Sequence, residues 1–288
     1  MNKKVDTRAI GLDVGLSFIR WLTGAENLHY GLWTGLEVSA GNLRAAQDAY
    51  TVKLFHMLDG DPPLRILDIG GGAGETARKL TALSHQVEIV VPSAFLAERC
   101  RQNAPKAKVH QTTFEDFEGK GLFDICLFSE SFQYIPMEIA LRKSLELLSR
   151  DGLIVIADCF RTEAYQGRHA HGPKPGGGHR LSQFRELLAG LPLEVRHEED
   201  ITDQVAPSID LEQQFFNVLG HGVMRIDTEL DAKRPFWRGI LRGLTGLVMP
   251  GRKRARLMER LTGTGRNAEE FRTYNRYLML QLGQPKTH

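Results

Sequence analysis

The segment ILDIGGGAGE, residues 66–75, decides the fold of this chain. Apolar residues surround Asp68, and three glycines follow at two-residue spacing, at Gly70, Gly72 and Gly74. Glycine has no Cβ, so the backbone of such a turn can reach positive-φ conformations and lie directly against a ligand. The segment therefore predicts a buried strand, a tight turn at a ligand site, and the start of a helix.

The same alternation of short apolar runs and amphipathic segments extends to about residue 201. It predicts strands over 64–69, 87–91, 108–111, 123–129 and 153–158, with a last strand over 276–282. Nearly continuous apolar strands separated by helices are typical of a doubly wound, mainly parallel α/β sheet. In such a sheet the ligand lies beyond the carboxyl ends of the strands, which is where the glycine turn falls.

Composition excludes several classes of protein. The 37 Lys and Arg residues nearly balance 35 Asp and Glu residues, so the chain as a whole is not a polyanion binder. Three cysteines are too few for a disulfide framework, and the longest weakly charged apolar stretch, 243–251, is too short to span a membrane. Charged residues among the first thirteen predict no signal peptide. We therefore expect a cytoplasmic protein, with peripheral contact to the inner membrane surface as a further possibility.

The glycine turn differs from two common nucleotide-binding loops. A dinucleotide site requires G-x-G-x-x-G, but Glu75 stands where the third glycine would be. The Lys-Ser/Thr ending of a phosphate-binding P-loop is also absent from this turn. The D-x-G-x-G-x-G pattern resembles the first motif of class I S-adenosylmethionine (SAM)-dependent methyltransferases. FDICLFSESFQYIP (123–136) and LLSRDGLIVIAD (147–158) resemble two later motifs of that family, in the correct order.

This resemblance implies a seven-stranded Rossmann-like sheet, with SAM as cofactor and S-adenosylhomocysteine as product. By position, Asp68 and the glycine backbone would hold the methionine end of SAM, the residues after the fourth strand would lie beside it, and Thr113 and Phe114 would face the adenine. The implied cofactor-binding residues are Tyr30, Asp68, Gly70, Gly71, Gly72, Gly74, Pro92, Ser93, Thr113, Phe114, Ser129, Glu130 and Gln133.

The sequence departs from the family pattern at two cofactor positions. Relatives end the second strand with a carboxylate that binds both ribose hydroxyls, but this chain reads VVPS over 90–93. Many relatives also have an acidic residue at the position of Thr113, to accept the adenine amine. We therefore expect the ribose to be held by backbone, by Ser93 or by a distant residue, and the adenine to meet a hydroxyl.

Three residues are candidates for catalysis. Methyl transfer needs a general base only when the acceptor starts protonated. Tyr134 stands near the end of the fourth strand, where relatives carry a histidine pair, and Asp158 ends the fifth strand. His179 precedes a predicted helix on the acceptor side. Two of them have a structural alternative: an aromatic side chain in the core for Tyr134 and a turn cap for Asp158.

The chain outside the predicted sheet divides into helical regions. We predict an N-terminal helical segment over 1–60 that closes over the cofactor, a SAM-binding core over 61–202, a helical cap over 203–270 that builds the acceptor pocket, and a final strand and tail over 271–288. The cofactor-closing role of the first segment follows from the likeness of His29-Tyr30-Gly31 to lipid- and quinol-type relatives. No metal site is predicted, since His169 and His171 would need further ligands.

The cap carries an unusual charge pattern. Between residues 234 and 266 nine Lys and Arg residues accompany one acid, Glu259, and apolar residues alternate with them. Such a segment could lie on an anionic membrane surface or a partner, with 234–260 as the contact. Alternatively, its apolar side covers the acceptor pocket and its arginines face water.

These observations favour a SAM-dependent methyltransferase for a small or medium-sized, largely apolar acceptor, such as a lipid, a quinol-like ring or a polyketide-type product. O-methylation is slightly favoured over C- or N-methylation. The layout is similar to cyclopropane synthases and tocopherol methyltransferases. Two alternatives stay open: a nucleic-acid methyltransferase, which is not favoured, and a catalytically inactive methyltransferase-like binding module. The chain is expected to be a monomer or a homodimer.

Overall fold

The computed structural model describes residues 7–119, 121–165, 176–248 and 251–285. Eight strands form one sheet. They are β1 (Arg65–Ile69), β2 (Gln86–Val90), β3 (Lys108–His110), β4 (Phe123–Ser129), β5 (Leu148–Arg161), β6 (His179–Arg180), β7 (Glu194–Asp200) and β8 (Asn275–Gly283). Helices connect the strands and precede them. They are α1 (Thr7–Thr23), α2 (Leu43–Phe55), α3 (Glu75–Ala82), α4 (Ala94–Asn103), α5 (Met137–Leu147), α6 (Leu181–Ala189), α7 (Thr202–Val205), α8 (Pro207–Lys233), α9 (Pro235–Val248), α10 (Gly251–Thr262) and α11 (Ala268–Tyr274).

The strand order is β3-β2-β1-β4-β5-β8-β7, and β6 pairs with the end of β5. All pairs are parallel except those of β8, which runs antiparallel to both β5 and β7. Asp68 near the end of β1 pairs with Ile89 of β2 and Leu127 of β4. The chain crosses from one half of the sheet to the other beside β1, so a crevice opens beyond its carboxyl end.

The sheet is covered on both faces, which explains the continuous apolar strands. Successive strand residues point to opposite faces. Ile66 packs with Tyr50 of α2 and Phe271 of α11 on one face, whereas Leu67 packs with Phe128 and Phe184 on the other. The predicted doubly wound α/β fold, with helices inserted before the last strand, is confirmed.

Two parts of the sheet differ from the prediction. β5 begins at Leu148 rather than at residue 153, directly after α5. β7 was not predicted as a strand, because its sequence EVRHEED lacks an apolar run. It is an edge strand whose residues are almost all exposed, and its order comes from backbone pairing with β8 rather than from burial.

The segment between β7 and β8 is mostly helical, with α8 as its longest element. α10 packs closely on α8, since a Cβ at Gly220 would collide with the carbonyl oxygen of Leu261. Within the described residues, no helix is both long and apolar enough to cross a bilayer.

Candidate functional site

The turn between β1 and α3 leaves no room for side chains at two of its glycines. Gly70 has a φ of +78°, and a Cβ there would lie 2.5 Å from the Cβ of Ser131. A Cβ at Gly71 would lie 2.6 Å from Oδ2 of Asp68. The Gly70 N–H donates to the carbonyl of Val90 at 2.8 Å, which ties the turn to the end of β2. The turn therefore presents backbone, rather than side chains, to the crevice above the sheet.

A cavity of about 950 Å³ lies over this turn. Its walls come from the ends of β1, β2 and β4, from the segment after β3, and from the irregular stretch between α1 and α2. Of the predicted residues, those lining the cavity are Asp68, Gly70, Gly71, Gly72, Pro92, Ser93, Thr113, Phe114, Ser129, Glu130 and Tyr134. The structure thus brings together eleven side chains or backbone segments from four separate parts of the chain.

Five predicted residues do not line this cavity. Gly74 caps α3 on the side of α4, where a Cβ would lie 2.9 Å from Cα of Cys100. Tyr30 packs its ring against Phe271, at 6.0 Å between centroids, and donates its backbone N–H to Glu130. The other three, Gln133, Asp158 and His179, lie deeper in the protein. Their predicted roles stay predictions.

Asp68 is the most unusual polar group at the cavity. It is 1% exposed, and its Oδ2 has no hydrogen-bond partner among the described residues. Burial raises the pKa of this carboxyl to about 7. A buried acceptor without a donor costs free energy, so Asp68 is suited to receive a donor from a bound molecule.

Two polar residues of the cavity wall already have structural partners. Ser93 caps α4 by accepting the N–H of Leu96 at 3.3 Å. Thr113 donates its hydroxyl to Asp116 at 2.8 Å, and so fixes the turn that carries Phe114. Neither contact removes the residue from the cavity, but each limits how its hydroxyl can turn toward a ligand.

The stretch between α1 and α2 supplies four lining residues that were not predicted: Glu26, Asn27, Leu28 and His29. Gln47 of α2 holds this stretch by donating to the carbonyls of Asn27 and His29, at 3.2 and 3.1 Å. Glu26 is buried and paired with Arg99 of α4. The likeness of His29-Tyr30-Gly31 to a segment that closes over the cofactor predicted a role for this region, but no local pattern indicated that Glu26, Asn27 and Leu28 line the cavity.

His29 is held as a neutral side chain. Its Nδ1 donates to the carbonyl of Tyr30 at 2.8 Å, and its ring stacks on Tyr50 with centroids 4.5 Å apart. Burial lowers the pKa of His29 to about 4. At neutral pH the imidazole therefore carries no charge beside the cavity.

A buried network of carboxyl and phenol groups lies next to the cavity. Glu130 follows β4 at a φ of +54° and accepts the N–H of Tyr30 at 2.8 Å and the hydroxyl of Tyr277 at 3.0 Å. The hydroxyls of Tyr277 and Tyr50 lie 2.7 Å apart, and that of Tyr50 lies 3.3 Å from Oγ of Ser129. Burial, with a smaller contribution from the nearby charge of Asp158, raises the pKa of Glu130 to about 8.

Asp158 sits behind this network and binds Gln133 at two points. Its Oδ1 accepts from Nε2 of Gln133 at 2.9 Å, and its Oδ2 accepts the Gln133 backbone N–H at 3.0 Å. Burial raises the pKa of Asp158 to about 7. The carboxyl therefore fixes the position of Gln133 and of the turn after β4, in agreement with the structural alternative considered for it.

His179 is half-buried and contacts the segment that follows β4. Its Nε2 lies 3.1 Å from the carbonyl of Phe132 and 2.9 Å from that of Ile135, so this nitrogen must donate. Its ring also meets the ring of Phe132 edge-on. The ring of His179 is thus held by the backbone after β4, and its predicted role on the acceptor side stays a prediction.

No group of three or more metal-ligating side chains occurs among the described residues. His169 and His171 lie outside those residues. The cavity's donors and acceptors are instead carboxyls, backbone amides and hydroxyls. These fit an amino-acid-like and nucleoside-like ligand: the glycine turn admits close contact, and Asp68 offers an acceptor to a hydroxyl or an ammonium group.

Comparisons with known proteins agree with this geometry. Residues 67–156 match the family described as a methyltransferase domain. The fold is similar to that of the cyclopropane synthase MmaA2 from Mycobacterium tuberculosis, with a TM-score of 0.68, 16% identity and coverage of 99% of this chain and 100% of that one. A search of curated proteins gave no significant match.

Two further solved structures have the same fold. Geranyl diphosphate C-methyltransferase from Streptomyces coelicolor A3(2), in complex with Mg²⁺, geranyl-S-thiolodiphosphate and S-adenosylhomocysteine, gives a TM-score of 0.60 at 15% identity, covering 99% of this chain and 94% of that one. The [4+2]-cyclase SpnF gives 0.66 at 15% identity, covering 96% of both chains. At such identities the likeness establishes the fold.

Proposed function

We propose that this chain transfers a methyl group from SAM to a small or medium-sized, largely apolar acceptor, because residues 67–156 match the family described as a methyltransferase domain. One observation carries the proposal: the turn at Gly70 and Gly71 excludes side chains beside a buried Asp68 whose Oδ2 has no partner among the described residues. When bound, SAM supplies a methyl group on a positively charged sulfur, already activated for transfer.

The residues of this chain would bind the cofactor from three sides. Asp68 and the backbone of residues 70–72 hold its polar end, while Thr113 and Phe114 lie at the expected adenine side. Residues 26–29 form a further wall of the cavity. Exclusion of water favours methyl transfer to the acceptor over loss of the methyl group to solvent.

The nature of the acceptor is supported by the apolar part of the cavity wall and by the fold neighbours. Leu28, Phe95 and Ile135 line the cavity, and Tyr134 stands at its rim with 69% of its surface exposed. The Streptomyces neighbour was crystallised with an isoprenoid analogue, and the mycobacterial neighbour is a cyclopropane synthase. Both names support an apolar acceptor for this chain.

O-methylation requires a group that accepts the hydroxyl proton. Glu130 lines the cavity with a pKa of about 8, so its carboxyl becomes a base as the pH rises through that value. Tyr277 and Tyr50 extend from it as a hydrogen-bonded chain that can pass a proton inward. Glu130 is therefore our candidate for the base, in addition to the predicted Tyr134 and Asp158.

Two other functions receive less support. For a nucleic-acid methyltransferase, the basic residues of 234–266 should form an uninterrupted cationic surface. Instead Arg238 and Arg242 are paired with Asp227, and exposed apolar residues separate them. For an inactive binding module, the contact of Gln133 with both oxygens of Asp158 is the favourable observation.

Calorimetry with SAM and S-adenosylhomocysteine tests the cofactor assignment, with NAD as a control ligand. We expect micromolar binding of both SAM and its product and none of NAD. Absence of binding at high micromolar concentration would contradict the proposal.

Transfer of labelled methyl groups to quinols, phenols and fatty acyl lipids tests the reaction, with hydroxyl-blocked analogues as controls. Labelling of the free hydroxyl compounds alone would support O-methylation. Binding of SAM without labelling of any acceptor would favour the inactive module.

A further inference from the structure

Helix α9 lies in the protein with its apolar side outward. Phe236, Ile240 and Leu244 recur at every fourth position, and Trp237 and Leu241 lie beside them. All five are between 37% and 73% exposed. In an ordinary surface helix such a stripe faces the core. The interpretation in which the apolar side of this segment covers an acceptor pocket therefore does not hold for α9.

Ion pairs, rather than apolar contacts, attach α9 to α8. Arg238 donates to both carboxylate oxygens of Asp227, at 2.9 and 2.7 Å, and also pairs with Asp231. Arg242 reaches Asp227 at 3.0 Å. Residues farther before the link between the two helices thus pair with residues farther after it. α9 therefore runs antiparallel to α8. The charged side of α9 is thus its docking side, and its apolar side is left without a partner among the described residues.

Exposed apolar residues continue along α8. Val218, Leu219, Val223 and Ile226 fall on one side of that helix, and each is at least 45% exposed. An α-helix turns by about 100° per residue. Because α8 and α9 are antiparallel, these residues and the apolar stripe of α9 lie on the same side of the ion pairs. We call this surface, made by residues 218, 219, 223, 226, 236, 237, 240, 241 and 244, the apolar face.

Helix α10 follows α9 in the chain and adds positive charge to this layer of helices. Arg252, Lys253, Arg254 and Arg256 are exposed, and within the part of the chain that the structure describes no carboxylate lies at ion-pair distance from any of them. By contrast, Arg260 at the end of α10 pairs with Glu212. Four uncompensated cations on one short helix favour an anionic partner.

We propose that α8, α9 and α10 bind the surface of an anionic lipid bilayer, with the apolar face in the interfacial region and the four cations of α10 on lipid phosphates. Exposed Phe and Trp side chains favour the boundary between headgroups and acyl chains. Clustered Lys and Arg residues next to an amphipathic helix are attracted by anionic headgroups. This inference goes beyond methyl transfer and depends on neither the cofactor nor the acceptor.

Charge complementarity favours a bilayer over a second copy of the chain. A two-fold dimer through the apolar face would bring the free cations of α10 from both copies toward the same interface. The like charges would repel each other, and the acids in this part of α8, Asp227, Glu229 and Asp231, are already paired with arginines or lysines. An anionic lipid surface supplies the missing negative charge.

The same helices reach the candidate site from the other end. Glu212 near the start of α8 pairs with Arg260 of α10 and with Arg266, and the charges of Glu212 and Arg266 act on Tyr30. A bilayer bound to the apolar face would therefore contact the same helices whose charged residues act on Tyr30.

Co-sedimentation of the full-length chain with lipid vesicles, in the absence of SAM, tests the proposal. We compare phosphatidylcholine vesicles with vesicles that also contain phosphatidylglycerol. Wild-type protein is expected to bind the anionic vesicles at least about tenfold more tightly, with a blue shift of Trp fluorescence, and binding should weaken as salt is added.

Two sets of variants assign the effect to its residues. Phe236→Ser with Trp237→Ser, and separately Arg252→Gln with Lys253→Gln, Arg254→Gln and Arg256→Gln, should each weaken vesicle binding by about tenfold or more. Matched controls remove exposed apolar or cationic side chains elsewhere: Leu83→Ser with Leu122→Ser, and Lys106→Gln with Arg150→Gln. These should bind like the wild type. Circular dichroism confirms that each variant is folded.

Three results would overturn the proposal. The first is no binding to anionic vesicles by folded wild-type protein. The second is equal binding by wild type and both sets of variants. The third is a dimer in analytical ultracentrifugation that Phe236→Ser with Trp237→Ser dissociates, which would assign the apolar face to a second copy. Because the vesicle assay contains no SAM, its failure leaves the calorimetric test of methyl transfer unaffected.

Discussion

The cavity at β1 and the layer of α8 to α10 are opposite departures from an ordinary folded surface. The cavity buries polar atoms that have no partner among the described residues, such as Oδ2 of Asp68. The helical layer instead exposes large apolar side chains, such as Trp237. Buried polar groups are normally paired, and large apolar patches are normally covered. Both regions are therefore complete only with a bound partner, a small polar ligand in one case and an apolar surface in the other.

The pKa values of the carboxyl groups also differ between the two regions. Burial raises the pKa of Asp68 to about 7, because no cation compensates its charge. In the helical layer, hydrogen bonds from Arg238 lower the pKa of Asp227 to about 2. The cavity thus favours carboxyls that are ready to gain or lose a proton near neutral pH, whereas the helical layer keeps its acids ionised.

The largest expected effect comes from filling the turn of the cavity. Gly70→Ala places a Cβ against Ser131 in a positive-φ conformation, so it should weaken S-adenosylhomocysteine binding at least 100-fold, or about 3 kcal/mol. Calorimetry measures this loss. Gly239→Ala in α9, where nothing lies within 4 Å, should leave binding unchanged and stabilise the helix by up to about 1 kcal/mol. Equal binding by both variants would contradict a ligand at the turn.

The second prediction concerns the charge of Asp68. An unfolded aspartate ionises near 3.8 and the folded one near 7, so between these values the ligand-free folded chain holds the extra proton. Stability therefore falls as the pH rises from about 4 to about 7. Asp68→Asn should remove this contribution and stabilise the ligand-free protein by about 2 to 4 kcal/mol at pH 8, with little change at pH 4.

Denaturant unfolding at both pH values measures the effect of Asp68→Asn, and calorimetry should give at least about tenfold weaker cofactor binding. Asp151→Asn, at an exposed position of β5, is the control and should change neither quantity. A variant at position 68 that is destabilised at pH 8 would show that the carboxylate has a partner.

A smaller effect is expected where a polar group of the site is already paired. Tyr277→Phe removes a buried hydroxyl that contacts Tyr50 and Glu130. The free energy of unfolding should therefore fall by about 1 to 3 kcal/mol. Tyr165→Phe keeps the ring that lies 4.6 Å from the guanidinium of Arg161 and should have no such effect. Thermal unfolding distinguishes the two variants. An unchanged melting temperature for Tyr277→Phe would argue against the hydrogen-bonded chain.

The smallest effect is expected on the apolar face. Trp237→Ser removes an aromatic side chain that is 56% exposed and attached to no core, so the free energy of unfolding should change by less than about 0.5 kcal/mol. Trp33→Ser is the matched comparison, since Trp33 is 4% exposed and donates to Ser208 at 2.8 Å. Trp33→Ser should lower the free energy of unfolding by about 3 kcal/mol or more. Similar losses for both would mean that Trp237 packs against protein.

The parts of the fold predicted from sequence are those with strong local patterns. In β1 and its turn, a buried strand is followed by glycines that allow close backbone packing. Both the strand and the ligand site could therefore be predicted. β4 is a continuous apolar run bounded by polar residues, and its predicted bounds agree with the structure. β7 was missed because an edge strand needs no apolar residues when a neighbour supplies the hydrogen bonds.

The parts of the site that were missed depend on contacts between distant residues. Residues 26–29 reach the cavity because Gln47 holds their carbonyls, and no periodicity records that contact. The position of the His179 ring likewise depends on two carbonyls after β4, which no local pattern records. In the helical layer the composition was visible in the sequence, but the direction of the apolar side of α9 depends on the ion pairs with α8.

The position of β8 between β5 and β7 has a consequence for how the protein is made. During translation β7 emerges well before β8, and all of α8 to α10 is synthesised in between. Until β8 arrives, β5 has one open edge and β7 has no neighbour at all. This half of the sheet must therefore avoid incorrect strand pairing while the long helical segment leaves the ribosome. The charged sequence of β7 suits a strand that stays exposed to solvent until β8 is made.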